Sequence, residues 1–528
     1  MRRSKIQRQR RRSLNPDFLA QRGAHSVYRR LKTPNPTVRG SVLACSCAFC
    51  TLVPLFMWSS SCFGAEDISV SGSMGSEYRV YREDRREHFE ATLEVGLSYR
   101  GFFGRVGYFL WEPSDPTTSM RYPIFSLGYS SGVEVLIGQY YATFGRGLVL
   151  RQYFDKDFKH DKRLTGLKLT ADFSPLRVTL LSGRPKNLFF ESDRYEIRND
   201  TLDILRGADL QISPNRRISF GGSYLRLMSR SDIQPCAFTE LIGGNITCSF
   251  SDWDTYVEYA KKLACTATQG RVTGEGLFLS ASGSAHGIGL TAQYVSYLDL
   301  AAGGPDTRYN DPPTPLRSGL SINRGLDERG GSALVSASLT PSLYVEAEYG
   351  FLETRDRAQW TGEVYGELRY DASDNILLTV GFERSNEREV EPGIRKLSTA
   401  PIAGVSYYLP WGDAIELELS QQFVQEKQWQ TADSTWRELE YAEPGLVASY
   451  THSTLVSLTV RADHRTRRVE ERSAETFWLS GEVAVDLLSN LNVRLLAGSI
   501  KGGRVCSGGW CRLEPDFEGV KTSLSYIF

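Results

Sequence analysis

The stretch HFEATLEVGLSYR, residues His88–Arg100, is the clearest guide to the fold. Apolar residues from Phe89 to Tyr99 occupy every second position, and polar residues or glycine occupy the positions between them. Successive side chains of a β-strand point to opposite faces, so the alternation predicts one strand with an apolar face and a polar face. Its length exceeds that of strands usual in soluble domains.

The same period of two recurs along the chain, for example in Leu343–Phe351, Ile376–Glu383, Ile415–Phe423 and Phe477–Leu487. Short breaks such as Ser174–Pro175 alternate with long polar stretches, which cover 184–202, 229–252, 299–330, 385–396 and 502–515. This rhythm is typical of outer-membrane barrels. We therefore predict an all-β fold, a transmembrane antiparallel β-barrel of about 22 strands (range roughly 18–26), closed because lipid tolerates no unpaired edge. A large secreted β-sandwich, propeller or β-solenoid is the alternative, although no fixed repeat favours the last two.

The charge of the chain is divided unevenly. The 528 residues carry 62 basic and 62 acidic side chains, but residues 1–40 hold 12 basic residues and only one acid, Asp17. Residues 41–65 are uncharged, which leaves 62 − 12 = 50 basic and 62 − 1 = 61 acidic residues in 66–528. A basic leader before an apolar core predicts a secretory signal peptide, with a single transmembrane anchor as the alternative. The predicted organisation is a removed leader and signal peptide (1–65), an N-terminal segment or first strand (66–86) and an outer-membrane barrel (87–528).

The chain ends FEGVKTSLSYIF, with Val520, Leu524, Tyr526 and Phe528 on one face of a predicted last strand. A terminal aromatic residue preceded by alternating apolar residues resembles the C-terminal assembly signal of outer-membrane barrels. Such a strand could pair by its edge with the barrel-assembly machinery and then close the barrel.

The segment GQYYATFGRGLVLRQYFDKDF, residues 138–158, and the strand after it carry a second resemblance. The pattern FG-x-GL-x-LR resembles an uncharacterised outer-membrane β-barrel family of Gram-negative bacteria, a domain of unknown function, over about 70–230. The residues that match are Tyr141, Phe144, Gly145, Gly147, Leu148, Leu150 and Arg151. The resemblance implies a barrel in the outer membrane and implies no substrate.

Two interpretations of this segment remain open. Gly145 and Gly147 interrupt a strand, as glycines do at a bulge or a close backbone approach. With Arg146 and Arg151 beside them, the segment either folds into the lumen and narrows a pore, or is a strand end with a charged outer loop.

Positions on the polar faces of the strands are rich in carboxylates. A water-filled lumen lined by carboxylates favours cations, and the alternative is a lumen of salt bridges that only holds the barrel together. The predicted lumen-lining residues are Glu90, Glu94, Arg100, Arg146, Arg151, Glu346, Glu348, Glu416, Glu418 and Glu482.

Five cysteines follow the leader. An exported compartment permits disulfides, so we predict the pairs Cys506–Cys511 and Cys236–Cys248, with Cys265 as the odd cysteine. Metal binding is the alternative for these cysteines, but no histidine stands nearby at ligand spacing.

Asp463–His464 is the nearest approach to a catalytic dyad. Because adjacent strand residues point to opposite faces, the two side chains cannot act together. We therefore predict no enzyme activity, no cofactor and, for an acidic chain, no nucleic-acid partner.

Together these features predict a porin-like channel for small hydrophilic solutes or ions, with an acidic lumen and outer-membrane lipid around it. The alternative is a structural or accessory barrel that sheathes or docks a partner protein in its lumen or in the periplasm, for secretion or envelope assembly. Neither hypothesis involves catalysis.

Overall fold

The computed structural model describes residues 68–528, apart from 115–118, 156–158, 192–193, 199–202, 229–237, 267–269, 304–307, 324, 391–392, 431–434, 454, 468–475, 508–509 and 515. The predicted leader and signal peptide lie outside the described residues. So does Cys236.

All regular elements of the described residues are strands. In chain order they are β1 (Ile68–Tyr81), β2 (Glu87–Tyr99), β3 (Phe102–Pro113), β4 (Met120–Ser130), β5 (Val133–Tyr140), β6 (Ala142–Phe144), β7 (Leu150–Gln152), β8 (Phe154–Asp155), β9 (His160–Phe173), β10 (Leu176–Glu191), β11 (Arg194–Arg198), β12 (Ile204–Asn215), β13 (Ile218–Met228), β14 (Phe238–Phe250), β15 (Trp253–Thr266), β16 (Gly270–Ala285), β17 (Ile288–Leu298), β18 (Asp327–Thr340), β19 (Leu343–Glu353), β20 (Gln359–Ser373), β21 (Ile376–Glu389), β22 (Ile394–Tyr408), β23 (Ala414–Gln430), β24 (Thr435–His452), β25 (Val456–His464), β26 (Phe477–Leu488), β27 (Leu491–Ile500), β28 (Gly503–Ser507), β29 (Trp510–Glu514) and β30 (Phe517–Ile527). None of the described residues forms a helix long and apolar enough to cross a membrane.

A single antiparallel sheet of 26 strands closes on itself. Two of its members, β8 and β11, are short additions, so the wall has 26 − 2 = 24 strands. The first strand pairs with both β2 and the last strand, β30. Past the end of β30, the Phe528 N–H donates to the Gly72 carbonyl oxygen at 3.0 Å, and the Gly72 N–H donates back at 2.7 Å. Because the first strand pairs with the last, neither end of the sheet is left as an open edge.

The predicted closed barrel is confirmed, with 24 strands where about 22 were expected. One correction explains part of the difference. Residues 229–252 are not one long loop, because Phe238–Phe250 forms β14. The Gly243–Gly244–Asn245 run breaks the apolar alternation there, although the backbone pairs without interruption with both neighbours. The predicted loop 385–396 likewise shrinks to the connection 390–393.

The two ends of the barrel differ in their connections. At the end that holds both Ile68 and Phe528, strands are joined by turns of two to five residues, whereas the opposite end carries every longer connection. The longest of the short turns, between β22 and β23, is organised by Asp413. Its carboxylate accepts hydrogen bonds from the Tyr450 hydroxyl (2.6 Å), the Trp411 indole N–H (2.8 Å) and the Ser453 N–H (3.1 Å). These bonds, led by that from Tyr450, hold the pKa of Asp413 at about 2.

The two faces of the wall are chemically distinct. Large apolar side chains such as Val106, Leu127 and Ile137 alternate along the strands and are more than half exposed. The positions between them face the interior of the closed barrel, and there the chain places both its charged networks and its main apolar core.

Candidate functional site: two segments folded into the barrel

The chain leaves the wall after β5 and returns only at β9. Between them, β6 and β7 pair as a small separate hairpin, with Ala142 opposite Gln152 and Phe144 opposite Leu150. Gly145 and Gly147 have φ values of 56° and 104°. A Cβ atom at Gly145 would lie 2.6 Å from a carboxylate oxygen of Glu258, so glycine is required for both its conformation and the space.

Glu258, on the inner face of β15, holds this hairpin against the wall. Its carboxylate accepts a hydrogen bond from the Arg146 backbone N–H at 2.6 Å and one from the Tyr256 hydroxyl at 2.7 Å. The Arg146 guanidinium lies over the Tyr256 ring, 5.2 Å from its centroid. The buried Glu258 carboxylate thus accepts the backbone N–H of the turn, at the position that a bound anion would take in an anion-binding loop.

The segment 299–326, between β17 and β18, meets the hairpin inside the barrel. The Asp311 N–H donates to the Gly147 carbonyl oxygen (3.1 Å), and the Arg151 N–H donates to the Tyr309 carbonyl oxygen (3.0 Å). The Asn310 amide donates to the carbonyl oxygens of Leu148 (2.9 Å) and Leu300 (3.0 Å). Main-chain groups that would otherwise be buried without partners are satisfied by this exchange. We call the two parts together, 141–155 and 299–326, the inner core segments.

The inner core segments share one apolar core with the wall. Phe144, Leu148, Val149 and Leu150 are at most 1% exposed. They pack with Tyr309, Leu300 and Leu316 of the second segment and with inward side chains of β9–β19, among them Leu164, Leu205, Leu225, Leu241, Phe278, Tyr297 and Leu352. Burial of each large apolar side chain contributes roughly 1.5–3 kcal/mol. Such a core is a fixed part of the fold.

A buried ion pair joins the second inner segment to β9. Lys162 Nζ lies 3.4 Å from Asp311 Oδ2, and both side chains are at most 2% exposed. The Tyr153 hydroxyl donates to the same oxygen at 2.9 Å. Burial, followed by the charge of Asp311, raises the pKa of Tyr153, so its hydroxyl remains a donor at neutral pH. Removing one partner of such a pair leaves a buried, uncompensated charge.

The tip of the second segment reaches the carboxylates of β19 and β20. The Arg317 guanidinium lies 3.5 Å from the centroid of the Tyr365 ring and 3.4 Å from one oxygen each of Glu346 and Glu348. The Ser318 N–H donates to Glu363 at 3.1 Å. One cation therefore stands among three carboxylates at this point.

The structure places the predicted lumen-lining residues in five settings. Glu90 contacts Lys159 (2.8 Å), and Glu94 contacts Arg163 (3.3 Å) and Arg105 (3.7 Å). Glu346 and Glu348 share Arg317, while Arg146 and Arg151 belong to the inner hairpin. Glu416 and Glu418 are exposed on β23, and Glu482 is half-buried on β26, all three between outward apolar residues. Arg100 lies in the turn between β2 and β3, outside the strands. That these residues line a conducting path stays a prediction.

Several residues of this site were missed by the sequence interpretation. Glu258, Lys162 and Asp311 carry no motif, and 299–330 was expected to be an outer loop. The structure folds the described residues of 299–326 inward. The signal was the set of large apolar residues within that loop, which include Tyr309, Leu316, Leu320 and Ile322.

The structure describes three of the four cysteines in the predicted disulfides. The backbone pairs Cys506 directly opposite Cys511 in the β28–β29 hairpin, and the disulfide between them stays a prediction. Cys248 is a free cysteine. It lies ten positions along β14 from Phe238, about 33 Å at the usual strand rise. Cys236 lies outside the described residues, so the predicted Cys236–Cys248 pair stays a prediction.

No group of three or more histidine, cysteine or acidic side chains among the described residues could hold a metal ion.

In comparisons with known proteins, one family model matches part of the chain, and several solved structures are similar to it. The family described as a family of unknown function, DUF6029, matches residues 107–299, which include the inner hairpin. No curated protein matches. The P pilus usher (PapC) translocation pore is 9% identical, with a TM-score of 0.46 over 87% of this chain and 99% of that chain. Pseudomonas aeruginosa OccK5 (OpdH) is 14% identical, with a TM-score of 0.39 over 64% of this chain and 97% of that chain. The copper transporter OprC is 12% identical, with a TM-score of 0.42 over 88% of this chain and 81% of that chain.

Proposed function

We propose that this chain is an outer-membrane channel for small hydrophilic solutes, which pass a fixed internal constriction along an acidic side of the lumen. The observation that carries the proposal is the asymmetry of the interior. The inner core segments pack on the wall from β9 to β19, whereas the inner faces of β20–β27 carry polar and charged side chains.

The outer face supports a membrane location. Apolar side chains such as Val380 and Leu419 are more than half exposed around a closed wall, more apolar surface than a soluble protein leaves in water. Exposed aromatic residues cluster at the end with the short turns, where Tyr99, Phe102, Tyr129, Tyr407, Tyr408 and Trp411 are found. Aromatic girdles of this kind lie at membrane–water interfaces.

The satisfied polar contacts of the inner core segments favour a permanent constriction over a plug that is expelled as a unit. The Asn310 and Asp311 side chains both have partners, and four residues of the hairpin are almost fully buried. Release would expose that apolar core and break a buried ion pair together.

The remaining side of the lumen favours cations. Glu416 and Glu418 are exposed on the inner face of β23, and Glu482 follows on β26. Carboxylates around a water-filled passage lower the energy of a cation there and raise that of an anion.

Planar-bilayer recording of the purified protein tests the proposal. We expect discrete ion conductance and, under a KCl gradient, a reversal potential with the sign of K⁺ permeation. Replacing Glu416 and Glu418 together by Gln is expected to move that potential toward zero. Replacing Glu240, which lies on the outward face of β14, by Gln is the matched control and leaves it unchanged. The absence of any current, together with a co-purifying polypeptide, would favour the accessory-barrel alternative.

A further inference from the structure

The barrel wall parts between β4 and β9 in the half nearer the long connections. The β4–β5 ladder runs only from Ser130 to Ser126, opposite Glu134 to Gly138. Beyond it, Met120–Phe125 pair with β3 alone among the described strands, while β5 continues along β9. Gly138, at the point of divergence, has a φ of 109°, and a Cβ atom there would lie 2.4 Å from the Phe125 carbonyl oxygen.

Side chains, in place of a backbone ladder, hold the two sides of this parting together. Phe109, Trp111 and Tyr122 of β3 and β4 form an apolar cluster with Leu188 of β10. Lys186 Nζ lies 4.0 Å from the centroid of the Tyr122 ring. Pro123, which has no N–H to pair, stands in the part of β4 that pairs with β3 alone, as prolines do at sheet edges. A seam held by side chains opens at lower cost than a hydrogen-bonded ladder buried in lipid.

A cavity of about 380 Å³ adjoins the seam on the side of the lumen. The charged side chains that line it, Arg105, Arg163 and Lys168, are all basic, in a barrel whose interior is otherwise rich in carboxylates. Their acidic partners, Asp161, Glu94 and Glu134, are not part of the lining. Arg163 is held closely by Asp161 at 2.6 Å, whereas the Arg105–Glu94 and Lys168–Glu134 contacts are both loose, at 3.7 Å. Arg105 and Lys168 are therefore available to an anionic group in the cavity, and Arg163 adds positive charge beside them.

Two polar atoms at the junction of cavity and seam have no hydrogen-bond partner within the described part of the chain. They are the Tyr122 hydroxyl, on a side chain that is 1% exposed, and Oε1 of Gln139, which lines the cavity. A buried polar group without a partner costs free energy, so both atoms would gain from a polar ligand. Ile124, in the cavity lining and in the seam cluster, joins the basic region to the apolar one.

We propose that the cavity and the seam together bind a single-chain amphipathic carboxylate, and that the seam is its side entrance from the membrane. The carboxylate lies at Arg105, Arg163 and Lys168, and the hydrocarbon chain lies along Ile124 and the seam cluster. This site is separate from the acidic passage proposed for hydrophilic solutes, and it does not depend on ion conduction.

The binding test uses the full barrel in neutral-detergent micelles and radiolabelled dodecanoate in equilibrium dialysis. We expect saturable binding of dodecanoate, much weaker binding of butanoate, which lacks the long chain, and no competition from dodecyltrimethylammonium, which carries the opposite charge. Lys168→Gln should weaken dodecanoate binding by about tenfold, the factor for one lost charge-assisted contact. Lys261→Gln, on an exposed outward position of β15, is the matched control.

Three results would each overturn the binding site. They are no saturable dodecanoate binding by the folded barrel, displacement of dodecanoate by dodecyltrimethylammonium, and an equal loss of dodecanoate affinity in Lys168→Gln and Lys261→Gln. Ion conductance of Lys168→Gln in bilayers should equal that of the natural chain, which separates this site from the channel.

The side entrance has its own test. Joining Tyr122→Cys to Lys186→Cys with a short bifunctional thiol reagent should slow dodecanoate uptake from liposomes at least tenfold, and an unchanged rate would refute the entrance.

Discussion

Loss of the Glu258 carboxylate should loosen the inner hairpin and leave the wall intact. Replacement by alanine removes the acceptor for the Arg146 N–H and for the Tyr256 hydroxyl. The Tyr256 bond lies within β15, so the loss to the docked hairpin is that of the Arg146 bond, about 1.5–3 kcal/mol for a hydrogen bond to a charged group. The strand pairs of β15 with β14 and β16 are main-chain bonds and remain.

A loss of about 2 kcal/mol raises the population of the undocked hairpin roughly thirtyfold. The apolar core of Phe144, Leu148 and Leu150 still favours docking, so the expected result is brief opening and not permanent release. Hydrogen–deuterium exchange of the peptide that contains 144–150 should accelerate in Glu258→Ala. Single-channel records should show short events of higher conductance.

The matched control is Glu240→Ala. Glu240 stands on the neighbouring strand β14 and accepts a hydrogen bond from the Tyr224 hydroxyl at 2.9 Å, but it has no contact with the inner core segments in the described structure. This variant should leave both exchange and conductance unchanged. Equal exchange rates for 144–150 in the two variants would refute the role assigned to Glu258.

Three further predictions concern the wall and its turns. Gly138→Ala should reduce the yield of folded barrel, because φ is 109° and the added Cβ meets a backbone oxygen at 2.4 Å, whereas Gly222→Ala, with open space around it, should fold normally on a heat-modifiability gel. Asp413 has a pKa of about 2, below about 3.9 when unfolded, so its contribution to stability is complete above about pH 4 and is lost as the pH falls toward 2. Melting temperatures at pH 5 and pH 2.5 should therefore differ less in Asp413→Asn than in the natural chain, and equal differences would contradict this. Cys506 and Cys511 should resist maleimide labelling until reduced, and labelling of both without reductant would disprove the bond.

The wall was predictable because its physics is local. Alternation such as that of Phe89 to Tyr99 requires only that one face meets an apolar environment and the other a polar one. Strand β14 was not predicted because glycines occupy the centre of its pattern, and glycine has no side chain that would show which face of the strand is apolar.

The inner core segments were only partly predictable. The glycine positions in Phe144–Arg151 correctly indicated an unusual backbone. Whether the segment folds inward or forms an outer loop depends on the residues that it contacts. One of them, Asp311, lies 164 positions away from Gly147 in the chain and contacts it through main-chain atoms. Main-chain contacts at such separation leave little signal in one sequence.

The inward apolar residues of one half of the wall explain why the inner core segments were hard to predict, and they bear on the proposed function. Leu205, Leu225, Leu241 and Tyr297 face inward and are fully buried, so the strands that carry them are apolar on both faces. A barrel filled with water would keep polar residues at those positions, as β23 does with Glu416 and Glu418. The chain therefore encodes a filled half and a polar half in the same closed wall. The solute path that we propose runs along the polar half. A variant that makes the filled half polar, such as Leu225→Glu, should therefore displace the inner core segments and not widen a pre-existing pore.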